Sequence, residues 1–417
     1  MKLKYIYAFF CIIVIILIIK ENISFYGISL ANKEPLQDEK DLRIKQLNYL
    51  QYQLHSNNID DKMQKLFPEG YVFCNVLYGL SWCELAENGN DFQIKRTAIR
   101  EAIYALHKLE LPATVKVFNK DCSPGYGIFY QGWCNYLRAK ILLLSNENNN
   151  ISVNFVKACS RIASAIDTIQ TPFPESYKNA SWPADVMSAI ISLKIHDRLF
   201  NKQYTNTIQQ WLKKVKQKQD PETGLIPHSS SSITGNMLIM PRGSSQSLII
   251  RLLAEIDTTY AKQQYIIYKR LFLSNISCLS YVKEFHSNKN ANGDIDSGPV
   301  LFGMGSAATV TAIGTSSACG DQLMSQKLKR SIEAAGIPFT FNDKRFYLIG
   351  TIPIADLFIL WSQLTKSKVE VKIVNVSEDY SFLAFSLLIT IILNFPVIYF
   401  LYKKINNLII KPNIAKP

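Results

Sequence analysis

The eight cysteines of this chain form no CxxC pair and show none of the His/Cys spacing that holds a metal, so zinc-ribbon and dithiol redox chemistry are excluded. No metal and no cofactor are expected. Cys11 lies in an apolar run, and most of Cys74, Cys83, Cys122, Cys134, Cys159, Cys278 and Cys319 sit at helical positions among apolar residues, where a free thiol is a small buried hydrophobe. An oxidising compartment would permit a bridge such as Cys122 to Cys134. Runs of alternating apolar and polar residues are also missing, which argues against a β domain. There is no solenoid-type repeating unit, and no basic stripe interleaved with aromatics, so nucleic acid is not an expected partner. The formal net charge of +13 is misleading in this respect, because Lys2, Lys4, Lys20, Lys403, Lys404, Lys411 and Lys416 supply seven of those charges from the two ends.

What the chain does have is an apolar stretch at each end. Tyr5 to Ile19 carries no charge. As a helix it rises only about 22 Å, so Lys4 and Lys20 would snorkel if it spans a bilayer. A cleaved export signal is the alternative, with Ser29-Leu30-Ala31 the nearby small-x-small site. Ser381 to Tyr402 is long enough to cross, and Asn394 and Pro396 are tolerable there. Glu378 and Asp379 precede it and lysines follow, so the tail is expected in the cytoplasm, as is the N-terminus. The expected organisation is an anchor or signal at 1–20, a linker at 21–37, a main domain at 38–365 outside the cytoplasm (periplasmic or extracellular), a linker at 366–380, a transmembrane helix at 381–402 and a basic cytoplasmic tail at 403–417. The lipid bilayer is thus an expected partner.

Between the ends the 3.6-residue period dominates and predicts helices near 38–55, 67–88, 92–109, 126–145, 151–170, 184–199, 204–218, 243–256, 258–273, 300–319, 321–335 and 350–364. The connections alternate. Those after even-numbered helices are short and polar, as in Asn201-Lys202-Gln203, and read as plain turns. Several before even-numbered helices are long and rich in Gly, Pro, Trp and charge: 121–127, 171–185, 220–243 and 278–299. Function concentrates in loops of the second kind. The expected fold class is all-α: an (α/α)6 toroid of about twelve helices, with N- and C-terminal transmembrane helices outside it. In such a ring every even helix starts at one mouth, where its N-terminus favours negative charge. Glu69, Tyr126, Trp133, Trp182, Asp185, His228, Arg242, Glu284, Asp294 and Asp296 would gather there.

Gly293-Asp294-Ile295-Asp296-Ser297-Gly298-Pro299 places two carboxylates in a constrained loop, suited either to acid/base work with one pKa raised by burial and a like charge, or to an Asx turn and helix cap. Ser181-Trp182-Pro183-Ala184-Asp185 is a helix-start signal that leaves Trp182 unexplained. An indole beside a carboxylate at a mouth suits a sugar ring or an apolar ligand, with Asp185 as acid or base. Arg242, followed by Gly243-Ser244-Ser245, suits an oxyanion or a structural ion pair with Asp296 or Asp185. His228 is a candidate acid, base or local hydrogen-bonder. Tyr126, Tyr130 and Trp133 form an aromatic helix start that serves either as pocket wall or as core.

The order of certain motifs resembles the linalool dehydratase/isomerase family, within the wider six-hairpin toroids that also include many glycoside hydrolases. The likeness runs over most of 70–365. It rests on Tyr78-Gly79-Leu80, Tyr130-Gln131-Gly132 with Asn135, Asp197-Arg198-Leu199, Trp211-Leu212, Asp220-Pro221-Glu222, Val282-Lys283-Glu284, the Asp294–Gly298 loop, Gly320-Asp321 and Asp356-Leu357-Phe358. The resemblance implies the toroid and a mouth-side active site. Its catalytic residues depart from the pattern: Trp133 stands where the family has a histidine, and 171–185 holds Glu175, Ser176 and Asp185 but neither family cysteine. The expected function is carboxylate acid/base chemistry on an envelope glycan or glycoconjugate, by hydrolysis or elimination, with Asp185 and one of Asp294 and Asp296 as the working pair. The alternatives are a lyase or isomerase acting on a prenyl or lipid alcohol, and a non-enzymatic binding or assembly module.

Overall fold

The structure is a computed structural model, and it describes residues 2–28, 37–87, 89–145, 150–276, 278–287, 293–370 and 380–409. The acidic flank of the second apolar stretch, Glu378 and Asp379, and the tail lysines Lys411 and Lys416 lie outside the described residues. In chain order the helices are α1 (Lys2–Tyr26), α2 (Gln37–Ser56), α3 (Ile59–Gln64), α4 (Gly70–Glu87), α5 (Phe92–Glu110), α6 (Pro112–Val115), α7 (Ile128–Leu144) and α8 (Asn150–Thr168). They continue with α9 (Pro183–Leu199), α10 (Thr205–Gln217), α11 (Gly243–Ile256), α12 (Thr258–Phe272), α13 (Ser306–Ala318), α14 (Gln322–Ala335), α15 (Pro353–Leu364) and α16 (Ser381–Ile409).

Burial explains which helices go where. α4, α7 and α13 are buried on almost every side, and a helix apolar all round belongs inside. α5, α8, α10 and α14 bury one stripe and therefore form an outer layer. α4 packs on α7, α7 on α9, α9 on α11, α11 on α13, α13 on α15, and α15 returns to α4, which closes the ring. Outside it α5 backs α4, α8 backs α7, α12 backs α11, α14 backs α13, and α2 lies on α15. This closure makes the chain a toroid rather than an open solenoid. Close approach within the ring depends on small residues: a Cβ on Gly132 of α7 would sit 2.6 Å from the Ser188 hydroxyl of α9.

The twelve periodic helices are all present, with three starts shifted by three residues or more: α4 begins at Gly70, α13 at Ser306 and α15 at Pro353. Residues 300–305 form a hairpin rather than the first turn of α13, and Leu348–Gly350 is a 3-10 turn with Ile349 at φ 55°. Four antiparallel hairpins correct the expectation of no strands: β1 (Ser229–Ser230) with β2 (Met237–Ile239), β3 (Leu273–Ile276) with β4 (Leu279–Val282), β5 (Val300–Leu301) with β6 (Met304–Gly305), and β7 (Phe339–Phe341) with β8 (Lys344–Phe346). Each strand is four residues or fewer, too short for alternation to register in the sequence. All four lie in connections leading from an outer to an inner helix.

The far end of the ring is plugged by ion pairs. Arg251 of α11, fully buried, donates to Glu84 (2.5 Å) and Glu255 (3.3 Å) and lies 3.6 Å over the Trp361 ring. Lys140 reaches Glu87 at 2.7 Å, and Lys368 and Tyr136 approach Glu255 at 3.7 and 3.0 Å. Burial alone would raise Glu255, but Lys368, Lys140 and Arg251 outweigh it and hold it down at about 2.

The terminal helices pair antiparallel. The Tyr7 hydroxyl donates to the Leu393 carbonyl (2.7 Å), the Asn22 amide to the Ser386 hydroxyl (2.8 Å), and Leu383 N–H to the Tyr26 hydroxyl (3.1 Å). Among the described residues one helix is long and apolar enough to cross a membrane, α1 over Phe9–Tyr26. The apolar part of α16 is a shorter stretch, Ser381–Pro396.

Candidate active site

The inner helices start at the mouth, and several lack a side-chain cap of their own: α7 follows Gly127, α9 Trp182, α11 Arg242, α13 Gly305 and α15 Ile352. Three outer helices, α5, α12 and α14, are capped by aspartates at the far end, with Asp91 accepting from Gln93 and Ile94 N–H, Asp257 from Tyr260 N–H and Asp321 from Met324 N–H. The orphan N–H groups of the ring thus gather at one end, where they favour anions.

Asp185 lies in the first turn of α9 and is buried. Its carboxyl is pushed up to about 8, first by burial and then by the charges of Glu69 and Asp296, against a hydrogen bond from Ser176. Ser176 also accepts from Trp182 N–H at 3.1 Å, which ties the 171–182 loop to the start of α9. Gly127 permits that loop to close in: its φ is +80°, and a Cβ there would lie 2.0 Å from the Ser176 carbonyl. Tyr177 follows, its hydroxyl donating to Glu69 at 2.7 Å and its ring edge-on to Trp182 at 5.7 Å. Asp296, at the exposed rim, is pushed up to about 6 by partial burial, then by Glu69 and Asp294, with Arg242 opposing. Glu69, Asp185, Asp296 and the Tyr177 phenol therefore lie within electrostatic reach of one another, with Tyr177 and Glu69 in direct contact.

Beside it stands a satisfied group. Arg242 donates to Glu284 (2.9 Å) and, through both terminal nitrogens, to Asp294 (2.5 and 2.8 Å). The guanidinium holds Asp294 down at about 2. Asp294 also accepts from Asp296 and Ser297 N–H at 3.1 Å each, an Asx turn that shapes the loop. Glu284 is buried and accepts from Ser244 through its hydroxyl (2.6 Å) and its N–H (3.2 Å). His228 is buried nearby and pushed down to about 4 by burial and then by Arg242, so it is neutral near pH 7.

The expected site residues divide accordingly. Trp182 and Asp185 stand together at the start of α9, and Asp296 lies within electrostatic reach of Asp185. Asp294 is corrected from acid/base candidate to the ion-pair partner of Arg242, which binds neither Asp296 nor Asp185 among its hydrogen bonds. Tyr130 and Trp133 are corrected from pocket wall to core. Tyr130 is 5% exposed and donates to the Leu109 carbonyl at 2.9 Å. Trp133 is fully buried and packs on Phe73, Tyr136 and Trp361. Tyr126 is half-buried at φ 72° and meets Tyr130 edge-on. Glu69 was legible as a mouth residue, being just ahead of an inner helix, but nothing in the sequence marks it as a partner of Asp185. Tyr177 was missed because its place depends on a loop folding back over Gly127. All eight cysteines are free, so the Cys122–Cys134 bridge is not formed, and no His/Cys/Asp/Glu metal cluster occurs among the described residues.

No family model and no curated protein matches the chain. Several solved structures are similar to it in shape, among them two glycoside hydrolases. One is a family 76 glycoside hydrolase, an alpha-mannanase of Bacteroides thetaiotaomicron, with a TM-score of 0.44 and 10% identity, covering 70% of this chain and 86% of that one. The other is a C. acetobutylicum glycoside hydrolase from family 105, with a TM-score of 0.42 and 12% identity, covering 69% and 92%.

Proposed function

We propose that the chain is a membrane-tethered extracytoplasmic enzyme that cleaves an envelope glycan or glycoconjugate, by hydrolysis or elimination, with Asp185 as general acid and Asp296 as general base. One observation carries the reading: two carboxylates within electrostatic reach of each other are pushed up unequally, to about 8 and about 6, while the arginine beside them is taken up by Glu284 and Asp294. Near pH 7 that leaves one carboxyl protonated and one ionised, the division of labour that glycosidic cleavage requires. Trp182 and Tyr177 offer an aromatic wall against which a sugar ring stacks. Tethering is supported by α1, by the exposed apolar sides of α1 and α16, and by their antiparallel pairing, which brings the Lys2 end of α1 and the Ile409 end of α16 to one side.

The test is an assay of full-length protein on envelope polysaccharide and glycolipid fractions, following new reducing ends and the ultraviolet absorbance of an unsaturated sugar. Activity should be bell-shaped in pH, with limbs at about 6 and about 8, and Asp185→Asn and Asp296→Asn should each abolish it. Unchanged turnover in both variants sinks the reading. A lyase or isomerase acting on a prenyl alcohol is the second reading, favoured by the apolar character of the rim. It predicts activity on the lipid alcohol and none on the glycan fractions.

A further inference from the structure

We infer that the mouth end of the toroid is a docking surface for a lipid bilayer. Two independent features point to it, the direction in which α1 leaves the toroid and the chemistry of the mouth-side loop tips.

α14 is an outer helix, so it runs from the far end, where Asp321 caps it, toward the mouth. Its Arg330 donates to the Ile28 carbonyl at 2.7 Å and lies over the rings of Phe25 (5.3 Å) and Tyr26 (5.6 Å), which clamps the end of α1 to the side of α14. Earlier residues of α1 meet parts of the chain beyond the end of α14: Lys20 lies 4.4 Å over the ring of Phe339 in β7. Followed from Tyr26 back toward Lys2, the apolar helix therefore leaves the toroid on the mouth side. A bilayer holding the apolar part of α1 ahead of Lys20 is then on that side too.

The loops facing that direction carry most of the large apolar side chains that the toroid leaves in solvent. Ile233 and Leu238 stand on the β1–β2 hairpin, Phe302 at the β5–β6 turn and Phe341 at the β7–β8 turn. Leu66 and Val117 lie on two further mouth-side connections. Phe302 is 95% exposed and has a φ of 52°, a turn conformation that favours glycine or asparagine, so neither local geometry nor packing accounts for a phenylalanine there. Its hairpin is tied to the site, since Glu284 N–H donates to the Gly303 carbonyl at 3.0 Å. Lys65 and Lys116 are exposed next to Leu66 and Val117, the mixture of apolar and basic groups that interfacial binding uses. By contrast, the connections at the far end expose Phe92 and Phe200.

This places the mouth-side carboxylates against the headgroup layer. It rests on the proposed glycan reading only for its consequence, that the substrate is a membrane glycolipid presented from the bilayer rather than a free oligosaccharide.

The full-length chain, reconstituted in phosphatidylcholine/phosphatidylglycerol vesicles, tests the inference. Cys278, the partly exposed thiol, is first changed to serine. Phe302→Cys, Leu238→Cys and Phe92→Cys are then introduced singly and labelled with an environment-sensitive fluorophore. The first two labels should be quenched several-fold more than the third by lipids bearing a nitroxide near the headgroup. Equal access of all three to aqueous iodide, without lipid quenching, overturns the inference. So does shielding at Phe302 and Leu238 accompanied by intermolecular crosslinks instead of lipid quenching, which would assign the face to a second copy of the chain. Because the readout is depth and not turnover, it moves independently of the roles of Asp185 and Asp296.

Discussion

The two ends of the toroid use the same residue types to opposite effect. At the far end Glu84, Glu87 and Glu255 are matched by Arg251, Lys140 and Lys368, and Glu255 is held at about 2. At the mouth Glu69, Asp185 and Asp296 lie within electrostatic reach of one another, Arg242 is taken up by Glu284 and Asp294, and Asp185 stands at about 8. The lesson is that burial of a carboxylate does not decide its role. A supplied cation makes it structural, and a withheld one leaves it titratable near neutrality.

The largest effect that would break this comparison lies at the mouth. Asp185→Asn should lower turnover by about 10²–10⁴-fold, as loss of a general acid or base does, with the fold intact by circular dichroism. If the variant unfolds instead, the mouth is as structural as the far end. The converse test is Arg251→Ala, which leaves Glu84 buried without its cation while Glu255 keeps Lys368 and Tyr136, and should cost about 3–5 kcal/mol in denaturant melts.

Stability against pH sharpens the contrast. Asp185, raised in the folded state, binds a proton there that the unfolded chain releases. Its contribution therefore falls as pH rises from the ordinary carboxylate range to about 8, and Asp185→Asn should remove that slope from the melting temperature. Glu255 is depressed, so its contribution is present above the ordinary carboxylate range and is lost as pH falls toward about 2.

The smallest expected effect is at Asp294, whose side chain is half exposed. Asp294→Asn should cost about 1 kcal/mol or less in stability, since Arg242 keeps Glu284. It also removes a negative charge that raises Asp296, so the acid limb of the activity profile should move to lower pH.

Much of the scaffold was legible in the chain. The 3.6 period located the helices of both layers, and the alternation of plain with elaborate loops showed which helix starts share an end. Among the candidate site residues, Asp185 and Trp182 were legible as candidates because a Trp-Pro-x-Asp helix start carries more than a cap needs. Tyr130 and Trp133 misled because an aromatic face at spacings of three and four reads alike whether it turns to a cavity or to neighbouring helices. The hairpins were too short to show a period.

What the sequence determined by itself is set by local interactions: helix positions follow from periodicity, the caps of α5, α12 and α14 from aspartates placed just ahead of them, and apolar ends from composition. Only the tertiary structure decided that Arg242 would bind Glu284 and Asp294 rather than Asp296 or Asp185. The same holds for the meeting of Tyr177 and Glu69 across 108 residues of sequence, and for the face toward which α1 departs. Those outcomes depend on pairings across the closed ring, and the energy of a charge is fixed by neighbours that chain order does not reveal.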